Sequence, residues 1–459
     1  MNHSDLIPAS PAVRGDPADL AILSHIRDIA PPGDLIEFVA AARSDGEPAF
    51  YWESPSREFA VAATGSAWQA SASGRARFAT AAAAVKRLRA IVAVNSDSDW
   101  IRSPILTAGF AFADDIADGD AWRGFEPARV ALPSTCVVRR GDRAALIRNV
   151  AIRADTRIAE LARSLAAGQP PRWIGAGKSA VPPPILARHA HPDPAAWMSA
   201  VADTVDEIRR GHLAKLVLAR SCHLRGTAEF DLARVLRHLS AHETGCTVFA
   251  ISGGDADFVG ATPETLATLD AGEMRTTALA GTTPRGATAD RDYQLRRALA
   301  RSGKDRAEHD LVVRGIRDAL GPIVASLDAD GPPDVVALQR VQHLRTSLRG
   351  RVKPPCGILD LIAALHPSPA VGGYPRQGAI ARIARRESFE RGWYAGPVGW
   401  MNLDGDGEFA VGLRSGVVRG RDAWVFAGAG IVGDSDPRAE LMETDLKLRP
   451  MLAALTGCE

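Results

Sequence analysis

FAGAGIVGDSDPRAELMETDLKL, residues 426–448, changes backbone state twice within one short stretch. Residues 423–427 read as an apolar strand, the glycines that follow as a turn, and the remainder as a helix. Pro437 suits a first helical position and Asp436 the N-cap before it. On that helix Glu440, Glu443 and Lys447 are spaced i, i+3, i+7 and share one face. Two carboxylates, a lysine and glycine N–H groups thus converge, a set that suits a hard divalent cation with an anionic ligand. The same spacing suits a solvated helix face carrying a Glu443–Lys447 pair. The rest of the chain has to decide between the two.

The run from Gly428 to Gly433 also matches GxGxxG. A dinucleotide fingerprint needs a βαβ unit and an acidic residue about 20 positions further on. Too few residues follow Gly433 in a 459-residue chain to build one. A glycine loop that holds an organic carboxylate through its N–H groups is the better use.

A chain of this length has ample core for one large domain or a few ordinary ones. Apolar residues make up 46% and charged residues 24%, the balance of a soluble globular protein. A net charge of +1 gives no reason to expect nucleic acid or an acidic membrane surface as partner. The five cysteines are scattered, odd in number and without metal spacing, so they read as reduced thiols of a cytoplasmic protein. No basic stretch leads into an apolar run at the start, and no run is long enough to span a membrane.

Along the chain, residues 1–35 read as an N-terminal tail and 36–190 as a first part in which short aromatic and β-branched runs mix with a helical segment. Residues 172–194, rich in proline and small residues, read as the boundary to a second part, 191–455. Strand and helix do not alternate regularly, so the fold class is α+β rather than a doubly wound parallel sheet. ALAGTTPRGA reads as a glycine/threonine loop.

Several residues could carry chemistry. Lys215, at the start of the apolar strand KLVLAR, would be desolvated there and become a general base, or else be a solvated strand end. Glu264 follows a proline in an apolar stretch, where a carboxyl group keeps its proton and can donate it, unless it is a turn carboxylate. Asp305 and Glu308 share a helix face at i, i+3, so two helices could bring four acidic groups together, or each could pair within its own helix. Arg414, read on a strand, could grip a carboxylate with two N–H groups. His343 and Tyr394 are candidate donors.

These strings together resemble the chorismate-utilising enzymes, the family of anthranilate, aminodeoxychorismate, isochorismate and salicylate synthases. The resemblance rests on KLVLAR, FVGATPE, LAGT, KDRAEH, HLRT, LHPSPAVGG, RGWYAGPVGW, FAVGLRS and GAGIVGDSDPRAELMETDLK, in the family's order from residue 194 to 452. Weaker echoes (FYWESP, TAGFAF, WRGFEPARVALP) extend it back to residue 36. It implies two large antiparallel β-sheets packed face to face with surrounding helices. It implies a Mg²⁺ ion held by Glu308 and Glu443, with Glu440 and Asp305 in support, and the ring carboxylate of chorismate on that metal. Arg414, Tyr394, Lys447, Gly428 and Gly430 would hold the enolpyruvyl carboxylate, while Gly281, Thr282 and His343 line the ring.

Within the family, ammonia-using enzymes carry a glutamine where this chain has Lys215, and water-using ones a lysine. Water needs a base to become a nucleophile. Lys215 would therefore activate water for attack at C2 and Glu264 would protonate the departing C4 hydroxyl, giving isochorismate. LHPSPAVGG and GPVGW look like isochorismate synthases, whereas salicylate synthases, which go on to eliminate pyruvate, differ there; Ser368 and Gly433 are mild departures. A catalytically inactive chorismate-binding subunit is the alternative from another class. Water-using members need no glutaminase subunit, so a monomer is expected. Whether the product enters siderophore, salicylate or menaquinone biosynthesis depends on neighbouring enzymes.

Overall fold

A computed structural model describes residues 21–458 apart from 118, 153–155 and 169–180. Two sheets organise it. The larger, of 13 strands, runs from the edge strand Ile185–His191 through Lys215–Gly226, Asp422–Ile431, Ser415–Arg419, Ala256–Thr262, Thr247–Gly253, Ala49–Ser54, Phe59–Thr64, Thr135–Arg140, Arg143–Ile152 and Ala21–Ile29 to Val92–Ser96. The two-residue strand Gly373–Tyr374 adds to the start of Lys215–Gly226. The smaller, of 10 strands, includes Val341–Val352, Glu273–Pro284, Thr265–Asp270, Gly407–Val411 and Pro397–Asn402 in that order. Among the described residues the strands pair antiparallel except for Ala21–Ile29 with Val92–Ser96. The expected α+β sandwich is what the chain forms.

Its strands are buried along their whole length where both faces are covered. Thr247–Gly253 and Ala256–Thr262 are buried at every residue, because one face meets the other sheet and the opposite face meets helices. Between the sheets lie Trp52, Phe110, Phe249, Phe258, Trp393 and Phe409. On the far side of the larger sheet a second core sits under the helices Leu35–Ser44, Leu232–His242 and Pro437–Thr456. Helices Arg77–Ile91, Gly303–Leu320 and Ile358–Leu365 cover the smaller sheet.

Two expected boundaries shift. Residues 1–20 lie outside the described residues, but Ala21–Ile29 is a strand inside the larger sheet, so residues 21–29 of the tail expected over 1–35 belong to the fold. Its apolar residues, Ile22, Leu23 and Ile26, had been passed over because Pro and Asp dominate the stretch before them. The segment expected as a boundary falls partly on residues 169–180, outside the described residues; its remainder includes the strand Ile185–His191. Both parts of the chain share both sheets: Ala49–Ser54 lies beside Thr247–Gly253, and Ile105–Phe110 beside Pro397–Asn402.

Candidate active site

The quoted stretch begins as a longer strand than its glycines suggest. Asp422–Ile431 continues through Gly428 and Gly430, and the turn comes only at residues 432–436, closed by Ser435 N–H donating to Val432 O at 3.0 Å. Asp436 caps the helix Pro437–Thr456, accepting from Ala439 N at 2.8 Å, with Pro437 at its first turn. The glycines serve close approach rather than turning. A Cβ on Gly430 would stand 2.7 Å from Glu308 Oε1 and 2.9 Å from Lys215 Cε; one on Gly428 would stand 3.1 Å from the Tyr394 hydroxyl. Along Asp422–Ile431, Ser415–Arg419 reaches only residues 422–426, which leaves that strand edge beyond Phe426 without a strand neighbour among the described residues. On that edge Lys447 Nζ donates to Gly428 O at 2.9 Å.

All the candidate site residues singled out in the sequence line one cleft. Lys215, 1% exposed, is the first residue of its strand, and its Nζ lies 2.8 Å from Glu308 Oε1. It is a buried ion-paired lysine, not a solvated strand end. Glu264 is 5% exposed between two strands of different sheets. Burial pushes its carboxyl up to about 7, with the cations of Lys215 and Lys447 pulling the other way.

Gly281 and Thr282 are not in a loop. They sit on the strand Glu273–Pro284 at a bulge opposite His343, where Gly281 takes a φ of 75° that favours glycine. The bulge aims Thr282 Oγ1 at His343 Nδ1, 3.1 Å away, with Gly281 O 3.2 Å from the same nitrogen. A carbonyl only accepts, so Nδ1 carries the proton and Nε2 faces Arg414 Nη2 at 3.5 Å as a bare nitrogen. Burial, then the charges of Arg414 and Lys447, push the imidazole down to about 3. It is neutral at any working pH.

Arg414 was read on a strand. It lies in the turn between Gly407–Val411 and Ser415–Arg419, with a left-handed φ of 49°. The alternating pattern of EFAVGLRSG breaks at Gly412, which closes onto Gly396 instead. Ala395, another left-handed residue of the cleft (φ 61°), flanks Tyr394. Strained backbone of this kind is held by the surrounding packing and gathers at functional sites. Tyr394 stacks on Phe426 at 5.3 Å, and burial raises its hydroxyl well above the usual range.

Four carboxylates from two helices meet at the mouth, as the spacing implied. Among the described residues no three His, Cys, Asp or Glu side chains converge closely enough to chelate a metal as they stand. Three lysines hold the glutamates: Lys215 on Glu308, Lys447 Nζ 2.6 Å from Glu443 Oε1, and Lys304 Nζ 3.6 Å from Glu440 Oε1. The crowding remains uncompensated in part. Burial first, and then Glu443, raise the Glu440 carboxyl; burial raises Asp305, with Glu308 and Glu443 adding to it. An all-oxygen set crowded together, with burial and neighbouring carboxylates raising Glu440 and Asp305, fits a hard divalent cation, which would relieve the repulsion.

The sequence reading took Lys304 only as a partner within its own helix, whereas it reaches Glu440 on the other helix, and it passed over Glu387 and Arg391. The signal for the last two was an acid and an arginine four apart, buried in a segment with no helical pattern; the structure makes them an ion pair beside Tyr394.

A family described as chorismate binding enzyme matches residues 14–456. The salicylate biosynthesis isochorismate synthase of Pseudomonas aeruginosa is 38% identical over 436 residues, 93% of this chain and 88% of that protein. Isochorismate synthase MenF of Bacillus subtilis is 38% identical over 261 residues, 57% of this chain and 55% of its own length. In structure the chain is similar to MenF, the menaquinone-specific isochorismate synthase from Escherichia coli, with a TM-score of 0.77 and 25% identity over 98% of this chain and 96% of that one.

Proposed function

The chain belongs to the chorismate-binding enzymes, and from that premise we propose that it is an isochorismate synthase, an isomerase that adds water at C2 of chorismate and releases the C4 hydroxyl. The observation that carries the reading is a buried lysine and a buried carboxyl, Lys215 and Glu264, lining one cleft from different elements. The activity named for the relatives in sequence and in structure supports it.

Lys215 takes a proton from water as the oxygen attacks C2. The ring double bonds shift, the C4–O bond breaks, and Glu264 delivers a proton to the departing oxygen so that water leaves. A carboxyl at about 7 is well placed for that, since it still holds a proton near neutrality and gives it up readily. An ammonium cannot accept a proton, so Lys215 has to be in its neutral form, still able to donate an N–H to Glu308, when it acts as the base. Arg414, Tyr394 and Lys447, with the backbone at Gly428 and Gly430, hold a substrate carboxylate. Neutral His343 keeps Arg414 directed, and Gly281 and Thr282 border the ring.

Glu308 and Glu443, with Glu440 and Asp305 behind them, are the residues that would hold Mg²⁺. When bound it supplies charge that anchors an anionic substrate and offsets the carboxylates.

The test is a product assay with purified protein, chorismate and Mg²⁺, with and without EDTA, resolved by liquid chromatography. Isochorismate without pyruvate, lost on chelation, is the expected result. Salicylate and pyruvate together would make the chain a salicylate synthase. Binding of chorismate without turnover would make it an inactive binding subunit.

A further inference from the structure

The strand that carries Lys215 is fully paired on one edge and interrupted on the other. Residues 216–225 pair continuously with 422–431. On the opposite edge Ile185–His191 reaches only residues 221–226, and Gly373–Tyr374 only Lys215 and Leu216. Val217 and Ala219 face the gap between these partners. Val217 N–H finds Gly372 O at 3.0 Å, but no strand lies opposite its carbonyl or the Ala219 N–H. Two side chains take their place: Arg391 Nη2 donates to Val217 O at 2.9 Å, and Ala219 N donates to Glu387 Oε1 at 2.7 Å.

Those side chains are 3% and 5% exposed and bonded to each other twice, Nε to Oε2 at 2.7 Å and Nη2 to Oε1 at 2.5 Å. Arg391 reaches further. Its Nη1 donates to Val371 O at 2.9 Å, its carbonyl accepts from Tyr394 N at 2.9 Å, and its guanidinium lies 4.2 Å from the centre of the Phe112 ring. Arg391 and Val371 both line the cleft. Apolar side chains would fill this space with a smaller desolvation cost than two charges. They could not pair a strand carbonyl and N–H two and four residues beyond Lys215.

We infer that Glu387 and Arg391 are positioning residues for the reaction: together they stand in for the missing strand, and so fix where the Lys215 end of the strand and Tyr394 sit relative to one another. The inference rests on the reading of Lys215 as the base that activates water. The guanidinium makes four bonds from three separate nitrogens, to Val217 O, Val371 O and both oxygens of Glu387, more than the three N–H groups of a single lysine ammonium can supply.

The experiment compares Arg391→Lys and Glu387→Gln with the unmodified enzyme in kcat, KM for chorismate and the solvent deuterium isotope effect on kcat. In Arg391→Lys, kcat falls about 10- to 100-fold, KM stays within about threefold, and the isotope effect rises as proton removal from water becomes limiting. Glu387→Gln, which keeps an acceptor for Ala219, retains more activity. Should Arg391→Lys not fold, the double variant Glu387→Met with Arg391→Met fills the same volume without charge and is read the same way. A folded variant with unmodified kcat and isotope effect overturns the inference. So does a parallel loss of chorismate binding and turnover with the isotope effect unmoved, which is what a merely structural pair gives. Formation of isochorismate by the unmodified enzyme, but not by Lys215→Ala, is the control on the premise; if the unmodified enzyme forms none, the functional reading falls and this inference with it.

Discussion

Lys215 and Glu264 are both buried at the ends of apolar strands, and their neighbours differ. Among the described residues no charged group is bonded to the Glu264 carboxyl, so desolvation dominates and it rises to about 7. Lys215 has Glu308 at 2.8 Å. If Glu264 is the acid, kcat/KM for chorismate falls as pH rises through about 7, because the proton it must donate is lost there. Glu264→Gln removes that limb of the profile together with most of the rate; an unmoved limb in the variant assigns it to another group. Lys215→Ala and Glu264→Ala each lower kcat by about two to four orders of magnitude while chorismate still binds in the presence of Mg²⁺, as followed by equilibrium titration. Loss of binding in both would make these residues structural. At Gly430 the argument is one of space. A Cβ would meet the ends of two flexible side chains, Glu308 and Lys215, rather than backbone. Gly430→Ala should therefore fold with a near-normal melting temperature and lose about 10- to 100-fold in kcat through displacement of the base. A variant of normal activity would show that Lys215 does not need this close approach.

The helices Gly303–Leu320 and Pro437–Thr456 each bring an acidic i, i+3 pair to the cleft, and their caps place those pairs. Ser302 accepts from Asp305 N at 3.2 Å, and Asp436 from Ala439 N at 2.8 Å. Glu443→Ala removes one of the proposed ligands without touching a cap. It should shift the midpoint of Mg²⁺ activation upwards by at least about tenfold, in line with the loss of one oxygen from a site that uses few protein ligands. An unchanged metal titration would take Glu443 out of the site. At this scale the sequence was readable where local rules and tertiary use agree. Asp436, Pro437 and the i, i+3, i+7 face all lie where their spacing put them. It misled where a residue serves a distant neighbour. Gly428 and Gly430 look like a turn but are strand residues kept bare for Tyr394, Glu308 and Lys215. Gly281 and Thr282 look like a loop but form a bulge set by pairing with Val341–Val352. Arg414 continues an alternating pattern that the tertiary fold breaks at Gly412. Such exceptions are expected at a site, where local preference yields to the chemistry.

The whole molecule holds this cleft open at a cost in stability, and that cost depends on pH. Glu264 lies at about 7 in the folded chain against an ordinary 4.5. Between those values the folded state keeps a proton that the unfolded chain has released, so stability falls as pH rises through the interval. The stabilising contribution of the protonated carboxyl is complete below about 4.5 and gone above about 7. Above that, keeping the carboxylate buried costs about 3 kcal/mol. Glutamine has nearly the same shape and does not titrate. Urea unfolding of Glu264→Gln and of the unmodified chain should therefore give similar stabilities at pH 5, and the variant should gain about 3 kcal/mol over the unmodified chain by pH 8. Other titrating groups are common to both proteins and cancel in the difference. The interwoven sheets make unfolding of the larger sheet a useful readout, since Ala49–Ser54 and Thr247–Gly253 are neighbours drawn from opposite parts of the chain. Two stability curves that run parallel from pH 5 to 8 would mean that Glu264 is already ionised across this range, and with it the case for a proton donor at the centre of the sandwich would be lost. A gap that opens with pH would identify the carboxyl as a group whose burial is tolerated for what its proton does.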